Sequence, residues 1–212
     1  MPSNASRPIR ALATAALILS TGWLAWPVLA QPAQPGRAVA NAQIKAPERA
    51  ALCMACHGPQ GVSPTPNIPS LAAQPKTYLE NKLVLIREGL REIPAMKGTL
   101  DGVPDTELTA LAQYFSAQVA AAPATAKPDA QSFQRGQALA KSALCGTCHL
   151  PDHRGRDQVP RLASQHETYL RNVMQEYRDN PGPGRDTVMA AALYGITDAQ
   201  LKDLAHFFAR SP

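Results

Sequence analysis

The chain has 212 residues, a net charge of +5, 45% hydrophobic residues and only 17% charged ones. Such apolar content with near-neutral mean hydropathy excludes both intrinsic disorder and a polytopic membrane protein. The length admits one large domain or two small ones.

Residues 1–30 read as an export signal. Arg7 and Arg10 form a positive head, the run from Ala11 to Ala30 is almost wholly apolar, and Val28-Leu29-Ala30 offers a small-residue cleavage site ahead of Gln31. The apolar run is also long enough to span a bilayer, so a leader left uncut would tether the protein to the membrane. In both cases the body of the chain lies outside the cytoplasm, in the periplasm. Removing two arginines from a net charge of +5 leaves +3, too weak to argue for a nucleic-acid partner. Both tryptophans, Trp23 and Trp26, leave with the leader, and five Tyr and four Phe remain. Two cores this poor in large rings need another source of apolar volume.

After the leader, residues 31–47 are rich in Pro and Ala and read as a linker. A first domain, residues 48–118, begins with Cys53-Met-Ala-Cys56-His57, continues through a block from Leu71 to Asn81 that contains Tyr78, and reaches Met96. It ends in a helix started by Pro104-Asp105, with Leu108, Leu111, Ala112 and Phe115 on one face. A second Pro- and Ala-rich linker, residues 119–131, leads to a second domain, residues 132–212.

That second domain repeats the first. Cys145-Gly-Thr-Cys148-His149 stands 92 residues after the first frame, and the block Leu162 to Asn172 matches the first at seven of eleven positions, 91 residues on. Met189 follows Met96 by 93 residues. A helix from Gly136 to Leu144 is expected to lead into the cysteine pair, and the terminal helix carries Leu201, Leu204, Ala205 and Phe208 behind a Thr197/Gln200 capping box. The Tyr78 and Tyr169 blocks are helical in pattern, and no alternating run suggests a strand. The fold expected is all-α, as a tandem duplication.

Both cysteine frames are C-x-x-C-H, the attachment signature of haem c. Two thiols one helical turn apart add to the vinyl groups as thioethers, and the next residue offers its imidazole to the iron. A thioredoxin-type dithiol would need a βαβ scaffold, and a shared zinc site would need far closer pairs than the 88 residues between Cys56 and Cys145. Two plain disulfides would leave the histidines unexplained.

A sixth iron ligand is then sought in each half. Between Gly58 and the linker the first half has no His, and Met96 is the only Met in that stretch. In the second half Met174, His153, His166 and His206 compete with Met189. The repeat favours Met189, which lies 40 residues beyond His149 as Met96 lies 39 beyond His57. Both are placed in Gly/Pro-containing or polar loops before the terminal helix. A His/Met pair fills both axial positions and raises the reduction potential, which suits an electron carrier.

On these frames, the Pro-x-Leu-Ala-x-Gln-x-x-x-Tyr-Leu blocks and the two Met loops, the chain from about residue 48 to 210 resembles the dihaem class I cytochromes c, of the cytochrome c4 type. The resemblance implies a two-domain periplasmic carrier with a covalent haem in each domain and the haems close across the interface. It implies that the carbonyls of Pro69 and Pro160 accept a hydrogen bond from the axial histidines. It offers Tyr78 and Tyr169 either a haem propionate or a purely packing role. It also implies a Gly at the crossing of the N-terminal and terminal helices. Gly136, opposite Phe207 or Phe208, suits that place. The first half departs, since Pro47 falls where a helix should already run, so a shorter helix is expected there. Arg154, Arg156 and Arg161 form either a docking patch or a solvated face. With two haems the net charge of +3 falls to about +1 oxidised and −1 reduced, counting about −1 and −2 per haem, so strong long-range steering is not expected.

The expected function is a one-electron shuttle between a quinol–cytochrome c reductase-like donor and a terminal oxidase or reductase. The alternatives are the cytochrome subunit of a periplasmic dehydrogenase, and a dihaem redox enzyme with one open iron.

Overall fold

The terminal helices of the two halves organise the fold. The structure, a computed structural model, describes residues 44–212. The export signal and residues 31–43 of the first linker lie outside them.

In the first half, α1 (Ala50–His57), α2 (Lys76–Arg87) and α3 (Asp105–Ser116) are joined by irregular chain with two short 3-10 turns, Pro59–Gly61 and Pro94–Met96. α3 buries Leu108, Leu111, Ala112 and Phe115, the predicted stripe, and Tyr114 beside it. Leu111, Ala112, Tyr114 and Phe115 pack against Leu79 of α2 and Ala50 of α1, while Leu108 joins Leu100 and Val103 in a second cluster toward Met96. Each such side chain taken from water contributes roughly 1.5–3 kcal/mol.

The second half adds to this plan. α4 (Ala130–Ser142), capped by Asp129, crosses α8 (Asp198–Arg210), the terminal helix, with α5 (Cys145–His149), α6 (Glu167–Asp179) and α7 (Thr187–Leu193) between them. The Thr197/Gln200 capping box starts α8 as predicted. α8 buries Leu201, Leu204, Ala205, Phe207 and Phe208 against Ala140, Leu170, Met174 and Leu193. Among the described residues the only β-pairing is an isolated bridge between Arg156 and Val159, so the fold is all-α.

Three local expectations need correction. The helix leading into the second cysteine frame does not run through Leu144: α4 ends at Ser142, and Leu144 takes a left-handed conformation (φ 57°) before the frame restarts as α5. Met189 is not in a loop but is the third residue of α7; the Pro181-Gly-Pro-Gly184 run that suggested a loop ends before Asp186 caps that helix. In the first half residues 44–49 are non-helical, and α1 itself carries the cysteine frame. No helix among the described residues is long and apolar enough to cross a membrane.

Candidate haem-binding sites

Each cysteine frame lies on one turn of helix. Cys53, Cys56 and His57 sit on α1, and Cys145, Cys148 and His149 are on α5. All four thiols are unpaired; Cys53 and Cys145 are partly buried, while Cys56 and Cys148 are exposed. Burial pushes the Cys53 and Cys145 thiols above their ordinary range. No disulfide competes for them, and no three His, Cys, Asp or Glu side chains group into a metal cluster among the described residues.

His57 and His149 are buried, and each donates from Nδ1 to a proline carbonyl, Pro69 in the first half and Pro160 in the second, both at 2.8 Å. A carbonyl can only accept, so the proton is fixed on Nδ1 and Nε2 carries the lone pair. Burial lowers the pKa of both rings, against the opposing effect of the carbonyl bonds, which further favours the neutral, ligating form.

The proline loops are the same structure twice. Leu71 and Ala72 both donate their N–H to the Gly61 carbonyl, and Leu162 and Ala163 do so to the His153 carbonyl. Ala73 (φ 55°) donates to the Phe115 carbonyl as Ser164 (φ 60°) donates to that of Phe208. His153 therefore occupies the place of Gly61. Its ring lies edge-on to Phe207 and Phe208, with centroids at 5.4 and 4.9 Å.

The rival ligands of the second half have other partners, although His206 keeps a buried Nε2 without one among the described residues. His153 is packed as described, His166 Nε2 donates to the Ser63 carbonyl of the other half at 2.9 Å, and His206 faces Glu167, which also holds Arg210. Met174 is buried in the core. Met96 and Met189 are partly buried at the edges of their respective clusters.

Several contributing residues carried no role in the sequence reading. Arg87 bridges α2 to the start of the terminal helix, donating to the Val103 carbonyl and pairing with Asp105, both at 2.7 Å. Arg178 repeats this on Ile196 and Asp198 at the same distances. The two clamps frame the segments that carry Met96 and Met189, and their signal was available as an Arg followed by an acidic residue, 91 positions apart. Gln74 and Gln165 lay inside the repeated blocks without an assigned use. Both are buried and reach across to the opposite half.

Tyr78 and Tyr169 come together where the halves meet, phenol beside phenol. Burial pushes both above the usual phenol range, Tyr78 well above it. Arg91 lies near both phenols and over the Tyr177 ring, 5.9 Å from its centroid. Arg91 Nη1 and Arg185 Nε are buried without a hydrogen-bond partner among the described residues. Buried cationic donors lacking acceptors fit the carboxylates of haem propionates, as the thiols and Nε2 atoms fit its vinyl groups and iron. Arg161 separates from Arg154 and Arg156: its guanidinium donates to the Ala163 carbonyl and its N–H to Gln74, whereas Arg154 is exposed and pairs with Asp152. The three do not form one patch.

Comparison with known proteins agrees with this geometry. Residues 133–210 match the cytochrome c family model, and residues 41–115 match that of cytochrome c oxidase, cbb3-type, subunit III. Cytochrome c4 of Stutzerimonas stutzeri is 35% identical over 176 residues, covering 75% of this chain and 84% of that protein. The crystal structure of reduced recombinant cytochrome c4 from Pseudomonas stutzeri superposes with a TM-score of 0.72 at 28% identity, over 77% of this chain and 95% of that one. A thiosulfate dehydrogenase electron acceptor of Thiomonas intermedia is 29% identical over 177 residues, 79% of this chain and 82% of that protein.

The fold is thus a tandem of class I cytochrome c domains, and the two C-x-x-C-H frames fit two covalent haems c. The chain belongs to the cytochrome c4 family, whose members are electron-transfer proteins and not enzymes.

Proposed function

We propose that this dihaem carrier works in the periplasm, with haem joined through Cys53 and Cys56 in the first half and Cys145 and Cys148 in the second. His57 with Met96, and His149 with Met189, are the axial pairs. The observation that carries this reading is the duplicated 2.8 Å bond from His Nδ1 to Pro69 and Pro160. It fixes both imidazoles in the tautomer that presents Nε2, holds their orientation and raises their basicity. Haem, when bound, would supply a one-electron ferric/ferrous couple, and Met96 and Met189 as thioether ligands would raise its potential.

The protein's part is to hold both axial positions closed, to bury the rings and to set potentials. The Arg87 and Arg178 clamps keep the Met segments against the terminal helices, and Tyr78, Tyr169 and Arg91 provide donors for propionates where the halves meet. The leader's signal pattern supports export, with cleavage before Gln31. The donor is of the quinol–cytochrome c reductase kind and the acceptor an oxidase or reductase. Similarity to a thiosulfate dehydrogenase electron acceptor favours a second reading, in which a periplasmic dehydrogenase is the immediate donor.

The test is an optical spectrum of the reduced, exported protein before and after carbon monoxide. Two c-type haems per chain and no change on adding the gas are expected. Met96→Ala and Met189→Ala should each open one haem to the gas and lower its potential. A wild-type haem that binds the gas, or an unchanged titration in either variant, would overturn the ligand assignment. Co-purification with a dehydrogenase would select the second reading.

A further inference from the structure

Among the contacts between the halves, two glutamine side chains make a two-fold-like exchange. Ser70 N–H donates to Gln165 Oε1 at 2.9 Å, and Gln165 Nε2 donates back to the Ser70 carbonyl at 2.9 Å. Arg161 N–H donates to Gln74 Oε1 at 2.9 Å, and Gln74 Nε2 returns to the Arg161 carbonyl at 3.0 Å. Both glutamines are 5% exposed. The backbone N–H and carbonyl on either side fix each amide's orientation, since only Oε1 can accept and only Nε2 can donate.

The position of these bonds matters more than their number. The Ser70 N–H belongs to the same peptide unit as the Pro69 carbonyl, which accepts from His57 Nδ1. The Arg161 N–H shares its peptide unit with the Pro160 carbonyl, which accepts from His149 Nδ1. An acceptor on the N–H of a peptide polarises its carbonyl and makes it a stronger acceptor in turn. Each chain of bonds therefore runs from an axial histidine, through one peptide group, to a glutamine of the opposite half.

We infer that Gln165 and Gln74 are crosswise positioning residues: Gln165 tunes the haem of the first half through Pro69, and Gln74 tunes that of the second through Pro160. This rests on the reading of His57 and His149 as axial ligands. A better carbonyl acceptor gives the imidazole more anionic character and favours the ferric iron. Docking of the halves thus lowers both potentials, and a change at the interface reaches the irons without moving a ligand.

The experiment uses the holoprotein with Gln165→Leu, Gln74→Leu and, as an interface control, His166→Leu, which removes the bond to the Ser63 carbonyl and touches neither proline peptide. Potentials are read by spectroelectrochemistry, each haem being assigned through the NMR methyl signal of its methionine. The axial His Nδ1–H is followed by its chemical shift and exchange rate. Gln165→Leu should raise the first haem's potential, move the His57 Nδ1–H signal upfield and leave the second haem in place. Gln74→Leu should do the reverse, and His166→Leu should shift neither. Unmoved potentials and Nδ1–H signals in both glutamine variants, or equal shifts in all three variants, would overturn the inference. Failure of the ligand reading would instead appear in the wild type, as a haem that binds carbon monoxide. If a leucine variant does not fold, Gln165→Met and Gln74→Met provide the same readout with the side-chain length kept.

Discussion

In the second half the helix ahead of the cysteine frame is thirteen residues long and tied to the terminal helix by a buried carboxylate. Asp203 accepts from Ser132 Oγ at 2.5 Å and from Arg135 Nε and Nη2 at 2.6 and 2.9 Å. In the first half the corresponding chain is non-helical from residue 44 to 49. There Arg49 meets Glu107 of the terminal helix at 3.0 Å, with both side chains about one-third exposed. Yet the proline loop, the His–carbonyl bond and the arginine clamp are reproduced almost atom for atom. What is duplicated is the set of contacts around the histidine of each cysteine frame; the means of holding the frame on the terminal helix has been free to differ.

The widest expected difference between the halves comes from their close-packed glycines. A Cβ on Gly136 would overlap the Asp203 carbonyl and come within 2.8 Å of Phe207 Cβ, so α4 and α8 would have to part. Gly136→Ala should destabilise the second half by about 3 kcal/mol. In the first half Gly61 has φ +80° and its Cβ would meet Phe115 Cδ1 at 2.7 Å. The obstacle there is a ring that can shift, and His153 shows that the same loop accepts a side chain at φ 55°. Gly61→Ala should therefore cost less, about 1–2 kcal/mol. Guanidinium unfolding of the two holoprotein variants, followed by circular dichroism and the Soret band, checks the order. A larger loss for Gly61→Ala would mean that the first half depends on its proline loop more than the second depends on α4.

Acid should separate the halves next. The hydrogen bond from Arg135 holds the Asp203 carboxyl below its ordinary range, with burial opposing and Ser132 adding to the lowering. A carboxyl depressed on folding contributes stability that is present above its unfolded pKa, about 4, and is lost as the pH falls through the folded value. The second half should thus weaken below about pH 4 by way of Asp203. Asp203→Asn should lower its stability at neutral pH, by less than Gly136→Ala, and flatten that part of the acid profile. A profile unchanged by the substitution would assign the acid response to other groups.

The sequence carried the parts of this structure that repeat or that chemistry constrains tightly. The frames and the buried stripes of the terminal helices were legible because a fixed spacing or a 3.6-residue period marks them, whereas the proline carbonyls were implied only by the resemblance. Gly136 was legible from the resemblance, although its partner, Phe207 rather than Phe208, was not. What escaped was tertiary. Arg87 and Arg178 carry no local mark of their role, which depends on carbonyl partners 16 and 18 residues further on. His153 looked like a spare ligand because nothing local reveals that it replaces Gly61 in a loop. Gln74 and Gln165 repeated visibly, but a use across the interface cannot be read from either half alone. Met189 follows Pro181-Gly-Pro-Gly184, a stretch that reads as loop; the run ends before Asp186, and the helix begins just behind it.

That last difference bears on how firmly each half holds its methionine. Met96 ends a 3-10 turn, with its N–H on the Ile93 carbonyl at 2.8 Å and its carbonyl bound by Thr99 Oγ1 at 2.7 Å. Met189 sits in the first turn of a seven-residue helix, where its N–H is the donor satisfied by Asp186 at 2.9 Å. A helix this short has little cooperativity of its own, so its N-cap supports a large share of it. Asp186→Ala should cost the second half only about 1 kcal/mol, but under the proposed ligation by Met189 it should loosen that side of the second haem selectively. Titration of the ferric protein with imidazole should show the second haem taking up the added ligand at lower concentration than in the wild type, with the first unchanged. Equal uptake by both haems, or by neither, would mean that the Arg178 clamp and packing on Leu193, rather than the cap of α7, keep Met189 in place.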